Sequence, residues 1–504
     1  MTEKEEITKV LNYIEENMRV TDQTSIEYLD SQGNIDRLCL KQNHIIFGRR
    51  GSGKSLLLKS LKKHHEIACV TVNLEDFKDI SFPNSIIQVQ KSIIEQLLPI
   101  VESKNGFFSI DYWKKTRPLV KRLKQYTYDL NEHLKHPDEY DKSIKEKKGG
   151  KTFGKGKAKQ AGNEFEIGAE TSEELETAKE IKIDKLNTLK NGLSDAKKIF
   201  SNISHFIGKD IFLILDDFYF IRKNEQPYFL DFFHRLAKNT PIYLKVATIK
   251  HRTRLYTQTE SYIGIELPHD AQTLNLDYSF EDFNTLVTFM KNLLLHINEK
   301  VKVSIKYEDL ITDNAFRFLC LASGGVPRDF FSLIISLGPL LGGEKSISKP
   351  NVIEKAIENI SNKMEAFRTD TADEEGILEN YLKFIRKRII DEKKWNAFLV
   401  SNRALQDHPH INQAVKELAD LRFLHLVNPN ISASHGDGTR YSAYMLDIGL
   451  FPNANPRGFQ QVEPGQKDEN QREDKIRSAP KLNLEDFKVY IDELHLEKAI
   501  EITE

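Results

Sequence analysis

Hydrophobic and polar positions along this chain switch between two periods. Residues 4 to 18 repeat apolar side chains at helical spacing and predict a short helix. QNHIIFG, Gln42 to Gly48, is an apolar run of strand length that leads into a glycine-rich turn and then the helix SLLLKSLKKH. A second strand, ACVTVNL, ends near Asp76, and FPNSIIQVQKSIIEQLLPIV reads as a long helix suited to covering one face of a parallel sheet. IFLILDD, Ile211 to Asp217, is a continuous apolar strand; a helix around Phe229 to Lys238 and another buried strand, Ile242 to Ile249, come next. A further strand spans Thr273 to Leu276. Strands alternating with helices predict an α/β fold around a parallel sheet.

The alternation is interrupted from about 104 to 206. The lysine run Lys142 to Lys159, within KSIKEKKGGKTFGKGKAKQAG, is too charged and glycine-rich to bury a core and reads as disordered; a glutamate-rich stretch follows it. Ile181, Leu186, Leu189, Leu193, Ala196 and Phe200 then fall at helical steps and lead back into the sheet. Beyond it, the box SFED predicts that Ser279 caps a helix and Asp282 reaches back to it. Helices run to about Met364, broken by SGGVPR, Ser323 to Arg328. From Glu375 to Phe451, helices precede FLHLVNPN, a glycine turn and YSAYMLDI, the order of a winged helix. GQKDENQREDKIRSAP reads as a linker, and LEDFKVYIDELHLEKAIEI as a terminal helix. The expected domains are 1–34, an N-terminal helical segment; 35–278, the α/β core with the insertion; 279–364, a helical lid; 375–460, winged-helix-like; and 461–504, linker and terminal helix.

Composition narrows this picture. A chain of 504 residues is too long for one core. Cys39, Cys69 and Cys320 are far apart, with no CxxC pair and no clustered histidines, which fits small core residues in a reducing compartment. The net charge of -2 excludes a global electrostatic attraction to nucleic acid and leaves any such contact to a local patch. The acidic N-terminal stretch has no signal-peptide apolar core, and no segment approaches the roughly 18 uninterrupted apolar residues of a membrane span. A soluble, cytoplasmic protein without a membrane partner is expected.

One motif carries specific chemistry. GRRGSGKS, comprising Gly48, Arg49, Arg50, Gly51, Ser52, Gly53, Lys54 and Ser55, matches GxxxxGK[ST] and stands between an apolar strand and a helix. Its glycines let backbone N–H groups cradle phosphates, Lys54 meets the β- and γ-phosphates of ATP, Ser55 ligates Mg2+, and the helix N-terminus adds its positive dipole. Such a loop needs a carboxylate for the metal, and the strand ending in Asp216 and Asp217 supplies it: Asp216 for magnesium, Asp217 for polarising the attacking water. Thr248, at the end of the strand Ile242 to Ile249, is a candidate γ-phosphate sensor. Lys250, His251, Arg252 and Arg254 cluster just after it, where either arginine could act on phosphates in cis or as a finger toward a neighbouring subunit. Arg235 is a weaker candidate. Arg328 follows a glycine pair and a proline suited to a helix start, as a lid sensor does. No nuclease, protease or transferase constellation is visible.

GRRGSGKS, LILDD, KVATIKHR and GGVPRDF in this order, followed by the winged-helix pattern, resemble an AAA+ ATPase of the origin-recognition (ORC/Cdc6-like) type, and STAND ATPases share much of the pattern. The resemblance covers about Ile35 to Phe451, apart from the insertion. It implies a P-loop parallel-sheet core, a helical lid and a C-terminal winged helix, with Lys54 as the Walker-A lysine, Asp216 as the Walker-B aspartate, Thr248 as sensor 1 and Arg328 as sensor 2. It also implies ATP hydrolysis with Mg2+, homo-oligomers, and DNA as the partner; the STAND alternative implies a protein partner in signalling or phage defence. Two departures stand out: Asp217 occupies a position where glutamate is commoner, and the charged insertion is unusual. If Asp217 fails to support turnover, the chain is a nucleotide-binding scaffold. The helix around Asn412 to Leu421 offers only Lys416, balanced by Glu417 and Asp420, and the wing only His435 and Arg440, so the lysine run Lys142 to Lys159 is the stronger candidate for a DNA backbone.

Overall fold

The computed structural model describes residues 2–18, 24, 26–64, 66–105, 109–149, 185–258, 261–343, 345–370, 377–466, 474–487 and 489–490, without side chains at 136–149, 366, 369, 370 and 377. Its contacts divide the chain into a sheet unit, Gly33–Phe47 with Leu57–Leu274, and a helical unit, Met1–Gln32 with Gly48–Leu56 and Asn275–Glu504. Gly48–Leu56 thus groups with the helical unit, although the expected core ran unbroken over 35–278.

In the sheet unit, β1 (His44–Phe47), β2 (Ile67–Asn73), β3 (Asp210–Asp216), β4 (Ile242–Thr248) and β7 (Gln272–Asn275) form one sheet in the order β2-β3-β4-β1-β7. The pairs β2/β3, β3/β4 and β4/β1 are parallel, with Asn73 opposite Asp216 and Phe47 opposite Thr248. The carboxyl ends of β1, β3 and β4 therefore lie side by side, the edge where open α/β sheets hold ligands. β3 and β4 are apolar at nearly every position because helices cover such sheets on both faces. β5 (Tyr256–Gln258) and β6 (Tyr262–Gly264) form a separate antiparallel hairpin that the pattern did not predict.

Helix α2 (Asn34–Cys39) precedes β1, and α3 (Lys54–Leu61) follows it. Helix α4 (Asn84–Ser103) buries Ile86, Ile87, Ile93, Ile94, Leu97 and Val101 in the core of this unit. Helix α4 ends at Ser103, and α5 runs from Arg117 through Gly149 after a π-helical turn, Tyr112–Thr116, so the first residues of the lysine run, expected to be disordered, have helical backbone. The remainder of that run, the glutamate-rich stretch and Ile181 lie outside the described residues. Leu186, Leu189, Ala196 and Phe200 are buried as their spacing predicts, the last two on α6 (Leu193–Ile207). Helix α7 (Gln226–Ala237) completes the set.

The helical unit opens with α1 (Glu3–Glu16), whose start is a capping box between Thr2 and Glu5. Ile7, Val10 and Ile14 join a core built on α8 (Phe283–Val301), α9 (Asp313–Ala322), α10 (Pro327–Leu337) and α11 (Lys349–Asp370). The cap expected at Ser279 is shifted by three residues. Ser279 precedes a single 3-10 turn without a capping bond, and the Asp282 carboxylate accepts the Thr285 N–H at 3.3 Å.

Then come α12 (Ile377–Arg386), β8 (Ala397–Ser401), α13 (Asn402–Asp407), α14 (Pro409–Asp420), β9 (Leu424–Ser432) and β10 (Arg440–Leu446). The three strands form an antiparallel sheet ordered β8-β10-β9. One continuous core joins α8 through β10, so packing draws no line between 279–364 and 375–460. Of the tail read as a linker, Gly465 to Pro480, residues 467–473 lie outside the described residues, and the described end packs beside β8 instead of standing free. Leu399 N–H donates to Pro480 O at 2.9 Å, Leu482 N–H donates back to Leu399 O at 2.8 Å, and Val462, Ile476, Ala479, Leu482 and Leu484 are buried. Residues 491–504 of the expected terminal helix lie outside the described residues. Among the described residues no helix is long and apolar enough to cross a membrane.

Candidate nucleotide-binding site

The loop that leaves β1 is shaped by its glycines. Gly51 and Gly53 have φ of 88° and 95°, a region closed to most side chains. A Cβ on Gly51 would come within 2.7 Å of the Arg328 Cβ and 3.1 Å of a Val326 methyl, and one on Gly48 would strike the Ser52 hydroxyl. Lys54 is only 6% exposed. Its ammonium donates to Gly48 O at 2.7 Å and Arg49 O at 3.0 Å, carbonyls of its own loop. Among the described residues the buried Ser52 hydroxyl has no hydrogen-bond partner, a polar group left over at the centre of a tight backbone turn. Ser55, on the first turn of α3, is half-buried, and Arg50 is exposed.

Arg49 makes two bonds to residues outside the loop. Its N–H donates to the Asp277 carboxylate at 2.8 Å and its guanidinium donates to Gly324 O at 2.8 Å, tying the loop to the SGGVPR turn. Arg328 N–H lies 3.4 Å from Gly51 O, so α10 begins against the loop, with Pro327 in its first turn. The next residue, Asp329, is ion-paired with Arg422 at the end of α14. Asp277 was not singled out from sequence, although Gly324 lies in the glycine pair of SGGVPR; Asp277 ends the apolar stretch TLNLD, the one signal available for it.

At the strand ends of the sheet unit, Asp216 is 9% exposed and its carboxylate accepts the Asp217 N–H at 2.9 Å. Asp217 is half-buried with φ of 53°, a left-handed conformation that costs a non-glycine residue about 1–2 kcal/mol. Thr248 is fully buried; its hydroxyl lies 2.5 Å from that of Thr253, which donates to Ile249 O at 2.6 Å. Thr248 therefore donates to Thr253.

The basic loop after β4 is anchored by Gln226, a buried residue that sequence reasoning missed. Its amide donates to Ile221 O and Arg252 O, and its carbonyl accepts the Arg254 N–H at 2.6 Å. The signal was a glutamine opening an apolar helix, QPYFLDFF. The Arg252 guanidinium sits 5.0 Å from the centre of the Tyr219 ring. Arg254 turns onto its own hairpin, donating to Tyr256 O and the Thr257 hydroxyl. Arg235 is held by Asp231 at 3.0 Å.

No family model matches the chain, and no curated protein matches it. Among solved structures it is similar to a Walker-type ATPase of Pyrococcus abyssi, at 11% identity and a TM-score of 0.41, covering 85% of this chain and 95% of that one. It is also similar to the ORC1 protein of Aeropyrum pernix in complex with DNA, at 10% identity and a TM-score of 0.29, covering 88% of this chain and 90% of that one. Both likenesses are distant, so the case for nucleotide chemistry rests on the loop and the strand ends.

Proposed function

We propose that the chain is an AAA+-type ATPase that binds ATP with magnesium and acts as a nucleotide-controlled switch on DNA. The observation that carries this reading is the Lys54 ammonium, buried in a glycine-shaped loop that follows a parallel strand and donating to two carbonyls of that loop. Lys54 and the loop N–H groups would hold the phosphates, and Ser55 and Asp216 the magnesium, which supplies charge neutralisation at the transferring phosphoryl group. Asp217 would orient the attacking water. Thr248 and Arg328 would sense the γ-phosphate, with Arg252 or Arg254 serving in cis or toward a neighbour in a homo-oligomer. The elements 377–446 would form a winged helix: helix, strand, two helices and a hairpin follow that order.

The test is ATP hydrolysis by the purified protein with and without double-stranded DNA, beside Lys54→Ala and Asp217→Asn. Turnover that rises with DNA and is lost in both variants supports the reading. ATP binding without turnover leaves a nucleotide-binding scaffold.

A second reading, a STAND-like switch acting on a protein partner, is favoured by one observation. Lys416 is the one exposed cation on α14, and Glu417 and Asp420 share that helix, so the element a winged helix would lay in a groove is poor in phosphate-contact chemistry. Turnover indifferent to DNA would support this second reading.

A further inference from the structure

The first half of α5 carries an exposed face that the nucleotide site does not use. Arg117, Lys121, Lys124 and Tyr128 recur at steps of four, three and four, which places them on one stripe of the helix, and all are exposed. Trp113, Lys114 and Lys115 are exposed in the π-helical turn just before, and Arg122 is exposed beside the stripe. The opposite face is committed to the core: Thr116, Val120, Leu123 and Leu130 are buried, and the Tyr126 hydroxyl donates to Gln90 of α4 at 2.6 Å.

Charge is segregated on this face. Residues 110–128 hold six lysines and arginines against one acid, Asp111, in a chain whose total is -2. Asp111 pairs with Lys115 at 3.1 Å, and Lys124 reaches Glu102 only at 3.9 Å. Lys114, Arg117, Lys121 and Arg122 have no carboxylate at ion-pair distance among the described residues. Trp113 is 47% exposed, with the Arg117 guanidinium 4.7 Å from its ring centre. A solvated helix normally mixes its charges; six of one sign beside an exposed indole are the chemistry of a polyanion surface.

We propose that this face of α5, with the turn before it, docks the phosphate backbone of a nucleic acid. The stripe from Lys114 to Tyr128 is about 21 Å long at the rise of a helix, long enough to meet several successive phosphates of a duplex or a single strand. An anionic membrane is the poorer fit, because an interfacial helix buries its apolar face in lipid and α5 has already spent that face on α4. The proposal deepens the DNA reading above by giving it a surface apart from the nucleotide loop and from the elements 377–446.

The experiment is anisotropy of a labelled 20-mer, duplex or single-stranded, with the full chain at 50–200 mM NaCl, comparing wild type with Arg117→Glu/Lys121→Glu/Lys124→Glu. All three side chains are exposed, so the fold and the binding of a fluorescent ATP analogue should persist. The expected result is a loss of affinity of tenfold or more, with the slope of log affinity on log salt shallower by roughly 2 to 3. The arm with the larger loss identifies duplex or single strand as the source of the phosphates. Wild-type binding with an unchanged variant would overturn the surface alone, leaving the DNA reading in place. Wild type that binds neither nucleic acid, or that binds phosphatidylserine vesicles instead, would overturn both, while retained ATP binding would leave the nucleotide site intact.

Discussion

Two buried lysines, one in the loop after β1 and one on β4, show what separates a site from a core. Lys54 and Lys245 are 6% and 0% exposed, and backbone carbonyls hold both ammonium groups. Lys245 donates to Leu40 O and Gln42 O, each at 2.9 Å, and to the His44 ring nitrogen at 3.0 Å, with the Phe212 ring centre 4.2 Å away. Three acceptors match three ammonium protons, and all three are fixed by how the chain enters β1. The Gly48 and Arg49 carbonyls that Lys54 meets belong to the glycine loop itself, so exchanging these two for phosphate oxygens asks for an adjustment of the loop. Burial and backbone acceptors are common to both; these two acceptors of Lys54 sit in the loop, and those of Lys245 in the entry to β1.

That contrast is broken most directly by truncating each lysine. Lys54→Ala should weaken binding of a fluorescent ATP analogue by about 100-fold, the worth of two charge-assisted hydrogen bonds, with a small change in melting temperature. Lys245→Ala should do the reverse, costing roughly 3 kcal/mol of stability through orphaned acceptors and a cavity while the folded fraction still binds nucleotide. Loss of ATP binding by Lys245→Ala at an unchanged melting temperature would end the distinction.

A smaller effect tests whether the loop is as constrained as its glycines imply. Gly51→Ala puts a Cβ 2.7 Å from the Arg328 Cβ at a φ of 88°. It should cost about 1–3 kcal/mol in urea unfolding and weaken nucleotide binding as α10 moves off the loop. A variant as stable and as avid as wild type would show that the contact between Gly51 and α10 is loose.

The glycine loop after β1 was legible in sequence because GRRGSGKS compresses backbone conformation, charge and a helix start into eight adjacent residues. The sheet was legible because strands covered on both faces are written as apolar runs. Lys245 stood in plain view within IYLKVATI, where a lysine inside such a run must find buried acceptors, but the acceptors lie some 200 residues earlier in the chain at Leu40 to His44. The same distance hid the bond between Arg49 and Gly324. β8 was missed because AFLVS is too short to show a period, and the tail because Val462, Ile476, Ala479 and Leu482 are spaced by their pairing beside β8 rather than by any helix or strand of their own.

The pH dependence of stability sharpens the account of Lys245. Burial pulls its pKa from 10.5 down to about 7. Between those values the unfolded chain binds the proton and the folded chain largely does not, so stability rises with pH, by at most about 1.4 kcal/mol per unit. Urea midpoints at pH 7.5 and 9.0 should therefore climb more for wild type than for Lys245→Met. His44, lowered to about 4 by burial and by Lys245, adds a gain of the same sign between about pH 4 and 6.5. Equal slopes in the two proteins would mean that Lys245 keeps its ammonium throughout.

The smallest test applies the same rule to a helix start, where the partner a side chain meets outranks the spacing at which it stands. Ser279 has the residue type and position of a cap, yet it makes no capping bond, and Asp282 alone accepts a backbone N–H at the head of α8. Asp282→Ala should cost about 1 kcal/mol, whereas Ser279→Ala should stay within a few tenths, both read from urea midpoints. The carboxylate also sits at the positive end of the α8 dipole, so Asp282→Asn, which keeps the acceptor and removes the charge, should lose only part of that stability. Equal losses from Ser279→Ala and Asp282→Ala would restore the reciprocal box, with the 3-10 turn Phe280–Asp282 unwinding in solution into a first turn of α8.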